Sequence, residues 1–207
     1  MDQRNNDIYI IGAGGHAKVI LAMLEELGQK CLGIYDDNEK LWGTTFHSVP
    51  VIGAVSELHD REDIHAVIAI GNNKIRRQIS EKFKQLHWET LIHPHSWVHK
   101  SVEIGEGTVI FAGAVIQPDT SIGRHTIVNT SASIDHDCRI GNFCHIAPGC
   151  HICGGVRISD STLVGVGTSV IPCVTVTADT VIGAGASVVR NITHKGTYAG
   201  VPAEEIK

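Results

Sequence analysis

Residues 121–158 read SIGRHTIVNTSASIDHDCRIGNFCHIAPGCHICGGVRI and carry a branched aliphatic residue at every sixth position: Ile122, Val128, Ile134, Ile140, Ile146, Ile152 and Ile158. The step of six runs outward in both directions, back through Ile116, Ile110 and Ile104 to Val98 and on through Val164, Val170, Val176 and Ile182 to Val188. That makes 16 positions without a gap. Four residues after each comes a small residue, a β-branched residue or a cysteine, from Val102 and Thr108 to Ala186 and Ile192. A helix would repeat near 3.6 and a sandwich would alternate in twos between irregular turns, so neither accommodates a fixed six. A coiled parallel β-solenoid does, with each hexad a short strand plus a corner and like residues stacked from coil to coil. Gly105, Gly123, Gly141, Gly165 and Gly183 follow the inward residue, where the corner is expected to need permissive backbone.

The remaining composition narrows the classes of partner. A chain of 207 residues with 17 Lys+Arg against 22 Asp+Glu has a net charge of -5, which argues against nucleic acid or an anionic membrane surface as the main partner. The polar start, Met1 to Asp7, leads directly into a short apolar run, so neither a signal peptide nor an 18-residue apolar span is read. A soluble, cytoplasmic protein with six reduced cysteines is expected.

Residues 8–92 follow a different pattern. Ile8 to Ile11 is a short apolar strand, Gly12 to Ala17 a glycine loop, and Val19, Ile20, Met23, Leu24 and Leu27 a helical stripe that closes at Gly28. Strands are predicted at Cys31 to Tyr35, ending in Asp36 and Asp37, and at Ala66 to Ile70, ending in Gly71, Asn72 and Asn73. A helix is predicted from about Ile75 to Leu86. Such alternation implies a small Rossmann-like parallel α/β sheet, whose ligand sits beyond the carboxyl ends of the strands. Gly14, Gly15 and His16 open the helix where a phosphate would bind, and Asp36 is placed to accept hydrogen bonds from a ribose or a base. Gly12, Gly14 and Ala17 also match a dinucleotide fingerprint. With only about 90 residues available, a mononucleotide-sized ligand fits the module better than NAD.

The hexad repeat resembles the hexapeptide acyltransferases, and Gly200, Val201, Pro202 and Ala203 after the last coil resemble an ending that many of them share. The resemblance implies a left-handed parallel β-helix with three hexads per turn, a homotrimer, and acyl-CoA bound between neighbouring subunits. Roughly five coils stacked at about 4.8 Å would stand about 25 Å tall. Adding the N-terminal Gly-x-Gly-His-Ala, Asp-Asp and Ile-Gly-Asn-Asn segments, the whole chain resembles the sugar acetyltransferases of the sialic-acid and bacillosamine pathways. The likeness is strongest to UDP-4-amino-sugar N-acetyltransferases of glycan biosynthesis. It implies residues 1–92 as a nucleotide-sugar-binding domain and 93–207 as the acetyltransferase domain with a short C-terminal tail.

The resemblance also implies roles. Asn129 to His136 matches the family's catalytic segment and puts His136 on its general base, with Asp135 as a candidate to hold the other ring nitrogen and Asp137 as the alternative. The UDP-sugar would meet Gly14, Gly15, His16, Asp36, Asp37, Asn72 and Asn129. Acetyl-CoA, the expected co-substrate, would pass His145, Gly154, Gly155, Val166, Ala184 and Pro202, with backbone N–H groups near Gly154 and Gly155 as candidates to hold the oxyanion. A histidine suits the chemistry because its ordinary pKa of about 6.5 leaves it mostly neutral and basic near pH 7.

Cys138, Cys144, His145, Cys150, His151 and Cys153 imitate metal-ligand spacing. Three of these cysteines occupy the inward register of successive strands, so they read as core and no metal is expected. Besides a non-catalytic binding subunit, which an intact His136 disfavours, two rival functions remain at this level. One is an O-acetyltransferase of a sialic-acid-type sugar. The other is a trimeric β-helix zinc lyase of the carbonic-anhydrase type, for which His125, His136, His145 and His151 are the available ligands.

Overall fold

The computed structural model describes residues 7–206. The polar stretch 1–6, read above as part of a start without a signal peptide, lies outside them. The chain divides into two compact units, Met1–Glu89 and Thr90–Lys207.

The first unit is a six-stranded sheet flanked by two helices. Its elements are β1 (Ile8–Ile11), α1 (Gly15–Glu26), β2 (Cys31–Tyr35), β3 (Thr45–Phe46), β4 (Val49–Gly53), β5 (His65–Ile68), α2 (Asn73–Lys82) and β6 (His87–Trp88). The strand order is β3-β4-β2-β1-β5-β6, parallel except for the β3–β4 hairpin. β1 is central, and Ile8, Ile10 and Ile11 are fully buried. The hairpin and β6 are additions to the sequence reading; β3 and β6 have two residues each, too few to show a period, and Pro50 interrupts the strand pattern of β4. α2 begins and ends earlier than its pattern suggests. Asn72 caps it by accepting from the Ile75 N–H at 3.0 Å. Beyond Phe83 the Asp60 carboxylate takes the N–H groups of Lys84, Gln85 and Leu86, which holds them out of the helix.

In the second unit strand residues from Leu91 to Val170 pair with the residue 18 positions on, as Val109 with Ile127 and Ile127 with His145, and in the last coil the step shortens, with Val181 paired to Thr197. Three hexads therefore make one coil, and the strands stack into three parallel faces. The face that contains Trp97–Val98 and Ser187–Val188 has six levels. Leu91–Ile92 pairs with Val109–Ile110, so solenoid pairing begins before residue 93. Both inward registers are closed to solvent from Ile110 and Ala114 onward to Val188 and Ile192. Each buried Ile or Val adds about 1.5–3 kcal/mol.

The second inward register also solves a polar problem. Thr108, Thr120 and Thr126 donate their hydroxyls to backbone carbonyls 15 residues on, at Gly123, Asp135 and Gly141. Cys138, Cys144 and Cys150 donate their thiols in the same way to Cys153, Ser159 and Gly165. The three cysteines are fully buried, and burial raises the Cys138 thiol to about 11. They are core groups that stand in for threonine.

The glycine expectation needs correction. None of Gly105, Gly123, Gly141, Gly165 and Gly183 has a positive φ; the left-handed residue of each corner comes two positions later, as at Gly107, His125, Asp137, Phe143 and Gly155. The five glycines serve close approach instead. A methyl carbon on Gly123 would stand 2.6 Å from the Asn142 backbone nitrogen in the next coil.

Candidate active site

His136 is at the third position of its hexad, on the outside of a corner. Its backbone is fixed by the coils on either side: Asp135 N–H donates to Ile152 O, Asp137 N–H to Pro118 O, and Gly155 N–H to His136 O. Asp137 has φ +61, a left-handed conformation that aspartate tolerates better than most residues. There its Oδ2 accepts from His136 Nδ1 at 2.7 Å. In the neutral imidazole, with Nδ1–H so engaged, Nε2 keeps its lone pair.

The carboxylate at the histidine is thus Asp137, and the role given to Asp135 is corrected accordingly. Asp135 sits at the second position of the hexad and reaches the imidazole only as a nearby charge. The hydrogen bond that His136 donates to Asp137 is the main cause that raises the His136 pKa above its ordinary value, with the charges of Asp137 and Asp135 adding to it.

The imidazole opens into a depression of about 490 Å³ bordered by Cys153, Gly154, Gly155, Pro172 and Cys173. Gly154 lies against the ring, since a Cβ there would come within 2.9 Å of His136 Nε2. The two glycines are not equivalent as donors. The Gly155 N–H is spent on the His136 carbonyl, whereas among the described residues the Gly154 N–H has no backbone acceptor. Gly154 and Pro172 follow His136 by 18 and 36 residues, so the coil step makes them readable in retrospect; Cys153 and Cys173 flank them.

Asn129 and His145 meet at another corner, with Asn129 Nδ2 and His145 Nε2 3.0 Å apart. Val166, 55% exposed, and Ala184 continue the column of Thr130 and Pro148 along this edge in steps of 18. Pro202 is exposed in the tail, next to Ala203, whose N–H docks on Ser187 O. Neither Asn129 nor His145 borders the depression at His136. The residues expected along the acetyl-CoA path therefore divide between two edges of the solenoid.

His125, one of the ligands proposed for a zinc lyase, is 1% exposed and stacks on Phe143 with ring centroids 5.5 Å apart. His151 Nδ1 is 2.9 Å from Ser133 Oγ on a strand face.

In the N-terminal unit a cleft of about 370 Å³ opens at the carboxyl ends of the central strands. Gly12, Asp36, Asp37, Ile70, Gln78 and Lys82 are among its walls. Gly12 has φ +102, and a Cβ would lie 2.8 Å from Ile70 Cγ1. The glycine on the wall is thus Gly12; Gly14 and Gly15 are exposed at the start of α1, with His16 half-buried beside them. Asp36 already holds two backbone N–H groups, Ala13 on Oδ2 at 2.7 Å and Asn38 on Oδ1 at 2.8 Å. Asp37 Oδ1 takes the Val55 N–H at 2.9 Å. Both aspartates shape the cleft before any ligand arrives, and each still has lone pairs to offer. Asn72 is a helix cap and is not a wall of the cleft.

The PglD N-terminal domain family matches residues 7–83. The acetyltransferase domain of PglB from Neisseria gonorrhoeae FA1090 is 36% identical and superposes with a TM-score of 0.90 over 98% of this chain and 100% of that one. The chain belongs to the hexapeptide-repeat sugar acetyltransferases. The same PglB domain has been solved with acetyl coenzyme A. PerB from Caulobacter crescentus, solved with CoA and GDP-perosamine, is a 36% identical family member with a TM-score of 0.88, covering 97% of both chains. UDP-N-acetylbacillosamine N-acetyltransferase of Bacillus subtilis (strain 168) is 40% identical over 112 residues, 51% of this chain and 51% of its own length. The curated relatives are matched over about half their length or less. Among the described residues, no helix of this family member is long and apolar enough to cross a membrane.

Proposed function

We propose that this chain transfers an acetyl group from acetyl-CoA to the amino group of a UDP-linked 4-amino-4,6-dideoxy sugar, in a UDP-N,N'-diacetylbacillosamine-type pathway of the cytoplasm. The observation that carries this reading is the pairing of His136 Nδ1 with Asp137, which leaves Nε2 free to act as a base beside an open depression. The sugar amine attacks the thioester carbonyl while His136 Nε2 takes its proton. Asp137 favours the imidazolium that forms, and the Gly154 N–H is the candidate donor to the oxyanion. Collapse of the tetrahedral intermediate breaks the C–S bond, and the proton passes from His136 to the departing CoA thiolate.

The N-terminal cleft is the proposed nucleotide site, with Asp36 and Asp37 on its wall. A homotrimer is part of the proposal. It would bring the edge carrying Asn129, His145, Val166 and Ala184 on one copy against the His136 edge of the next, which unites in one groove residues that a single chain keeps apart. Nucleotide-sugar relatives on both sides of the comparison favour this reading over a sialic-acid O-acetyltransferase.

A pH profile tests the base. Because Asp137 raises the His136 pKa, the acid limb of kcat/KM should have its midpoint above about 6.5, with activity lost as pH falls through it. Asp137→Asn should move that limb to lower pH. An unmoved limb contradicts the assignment. Asp36→Ala tests the cleft. Losing a charged acceptor of backbone N–H groups is expected to raise the KM for the UDP-sugar roughly tenfold or more and leave that for acetyl-CoA nearly unchanged. Equal effects on both would contradict it.

A further inference from the structure

We propose that His65, His87 and Glu89 form a binding site for a divalent transition metal, of the class that zinc represents, at the edge of the N-terminal sheet and built from none of the residues assigned to acetyl transfer.

Backbone register builds the cluster. β5 and β6 are parallel with His65 paired to His87, and directly paired residues project from the same face of a sheet. Glu89 is two residues past His87, and its N–H donates to Ala66 O at 2.9 Å, so the ladder continues through it. A period of two returns its side chain to the face of His87. Three potential ligands therefore converge from regular structure without a flexible loop.

The geometry suits one small ion. One donor atom from each residue lies within 4.8 Å of the other two. Glu89 Oε1 stands 2.5 Å from His65 Nδ1 and 3.6 Å from His87 Nε2. Tetrahedral zinc with ligands at about 2.0–2.1 Å places donors roughly 3.3 Å apart, between those two separations. A small rotation of the Glu89 carboxylate would admit it, with the ion replacing the proton shared by His65 and Glu89. Side-chain exposures of 23% for His65 and 13% for Glu89 shield the inner ligands, while His87, at 59%, leaves an entry path and room for a water as the fourth ligand. Two imidazoles and a carboxylate suit zinc and its neighbours better than calcium or magnesium, which want oxygen ligands.

Such an ion would tie the two-residue edge strand β6 to β5. Neither spacing nor motif reveals it in the sequence, because 22 residues separate His65 from His87 and the register alone unites them.

The test uses the full chain stripped of metal and titrated with Zn²⁺, and with Co²⁺ for its visible absorption, reading stoichiometry and thermal shift. One equivalent is expected to bind and to raise the melting temperature. His87→Gln, at an exposed position, and Glu89→Gln should each weaken binding by about 10–100-fold or more, since even outer-shell losses cost that much. His136→Ala should leave binding intact, and His87→Gln should leave acetyl transfer by the metal-free protein unchanged. Should Glu89→Gln fail to fold, His87→Gln decides alone. Absence of binding, binding as tight in His87→Gln as in the parent, or loss of binding in His136→Ala would overturn the proposal; the first two would point to no site and to adventitious histidines, and the last to an ion at the catalytic corner.

Discussion

Replacing His136 with alanine is expected to lower the acetyl-transfer turnover number by about a hundred to ten thousand fold, the usual contribution of a positioned general base, with the thermal unfolding transition unchanged. The side chain is exposed, 66% by area, so truncation removes no core packing. Its corner is held by backbone hydrogen bonds that the substitution leaves in place. The readouts are steady-state turnover at saturating substrates and a melting curve. Turnover within tenfold of the parent would exclude His136 as the base, while a collapsed melting curve would contradict the view that the corner stands without the imidazole.

The second large effect is on stability. Gly123→Val should destabilise the solenoid by about 3 kcal/mol or more, the upper end of overpacking costs, seen as a melting temperature roughly 6–12 °C lower. A Cβ at Gly123 would meet the Asn142 nitrogen and the Gly141 carbonyl carbon, each at 2.6 Å. Both are backbone atoms of the next coil and cannot rotate away. The Gly123 N–H to Ile140 O bond, 2.8 Å, would have to lengthen with them. By contrast, Gly185→Ala tests a corner with nothing within 4 Å of the new Cβ but with φ +68. Its penalty comes from backbone conformation alone and should be the smaller of the two. If valine at Gly123 left the melting temperature unchanged, the close approach between coils would not be a constraint.

Much of this was legible because a step of six has one structural solution. The period alone identified the inward Ile and Val register, put Cys138, Cys144 and Cys150 in the core, and set His136 outside a corner. What it could not distinguish was Asp135 from Asp137, since both adjoin the histidine in sequence. The choice follows from the left-handed backbone at the fourth position of each hexad, which places the Asp137 carboxylate at Nδ1. The same regularity explains the misread glycines: Gly105 and Gly123 mark where coils touch, and the conformational demand falls two residues later.

The α/β unit was less transparent. Its strands and helices were visible as patterns, but which glycine lines the cleft depends on where β1 stops, and Gly12 rather than Gly14 or Gly15 occupies that place. Asp36 was visible as a polar residue at a strand end. That its two oxygens clamp Ala13 and Asn38 depends on how two loops approach each other in space. His65, His87 and Glu89 gave no signal, because strand pairing across 22 residues is long-range information.

The central claim is tested most directly by turnover with acetyl-CoA against a panel of acceptors: UDP-4-amino-4,6-dideoxy sugars of both C4 configurations, a GDP-linked 4-amino sugar, and a sialic acid. The account predicts the highest kcat/KM with a UDP-4-amino sugar, with one CoA thiol released per amide formed. Preferred acetylation of the sialic-acid hydroxyl, or no thiol release with any amine, would contradict it.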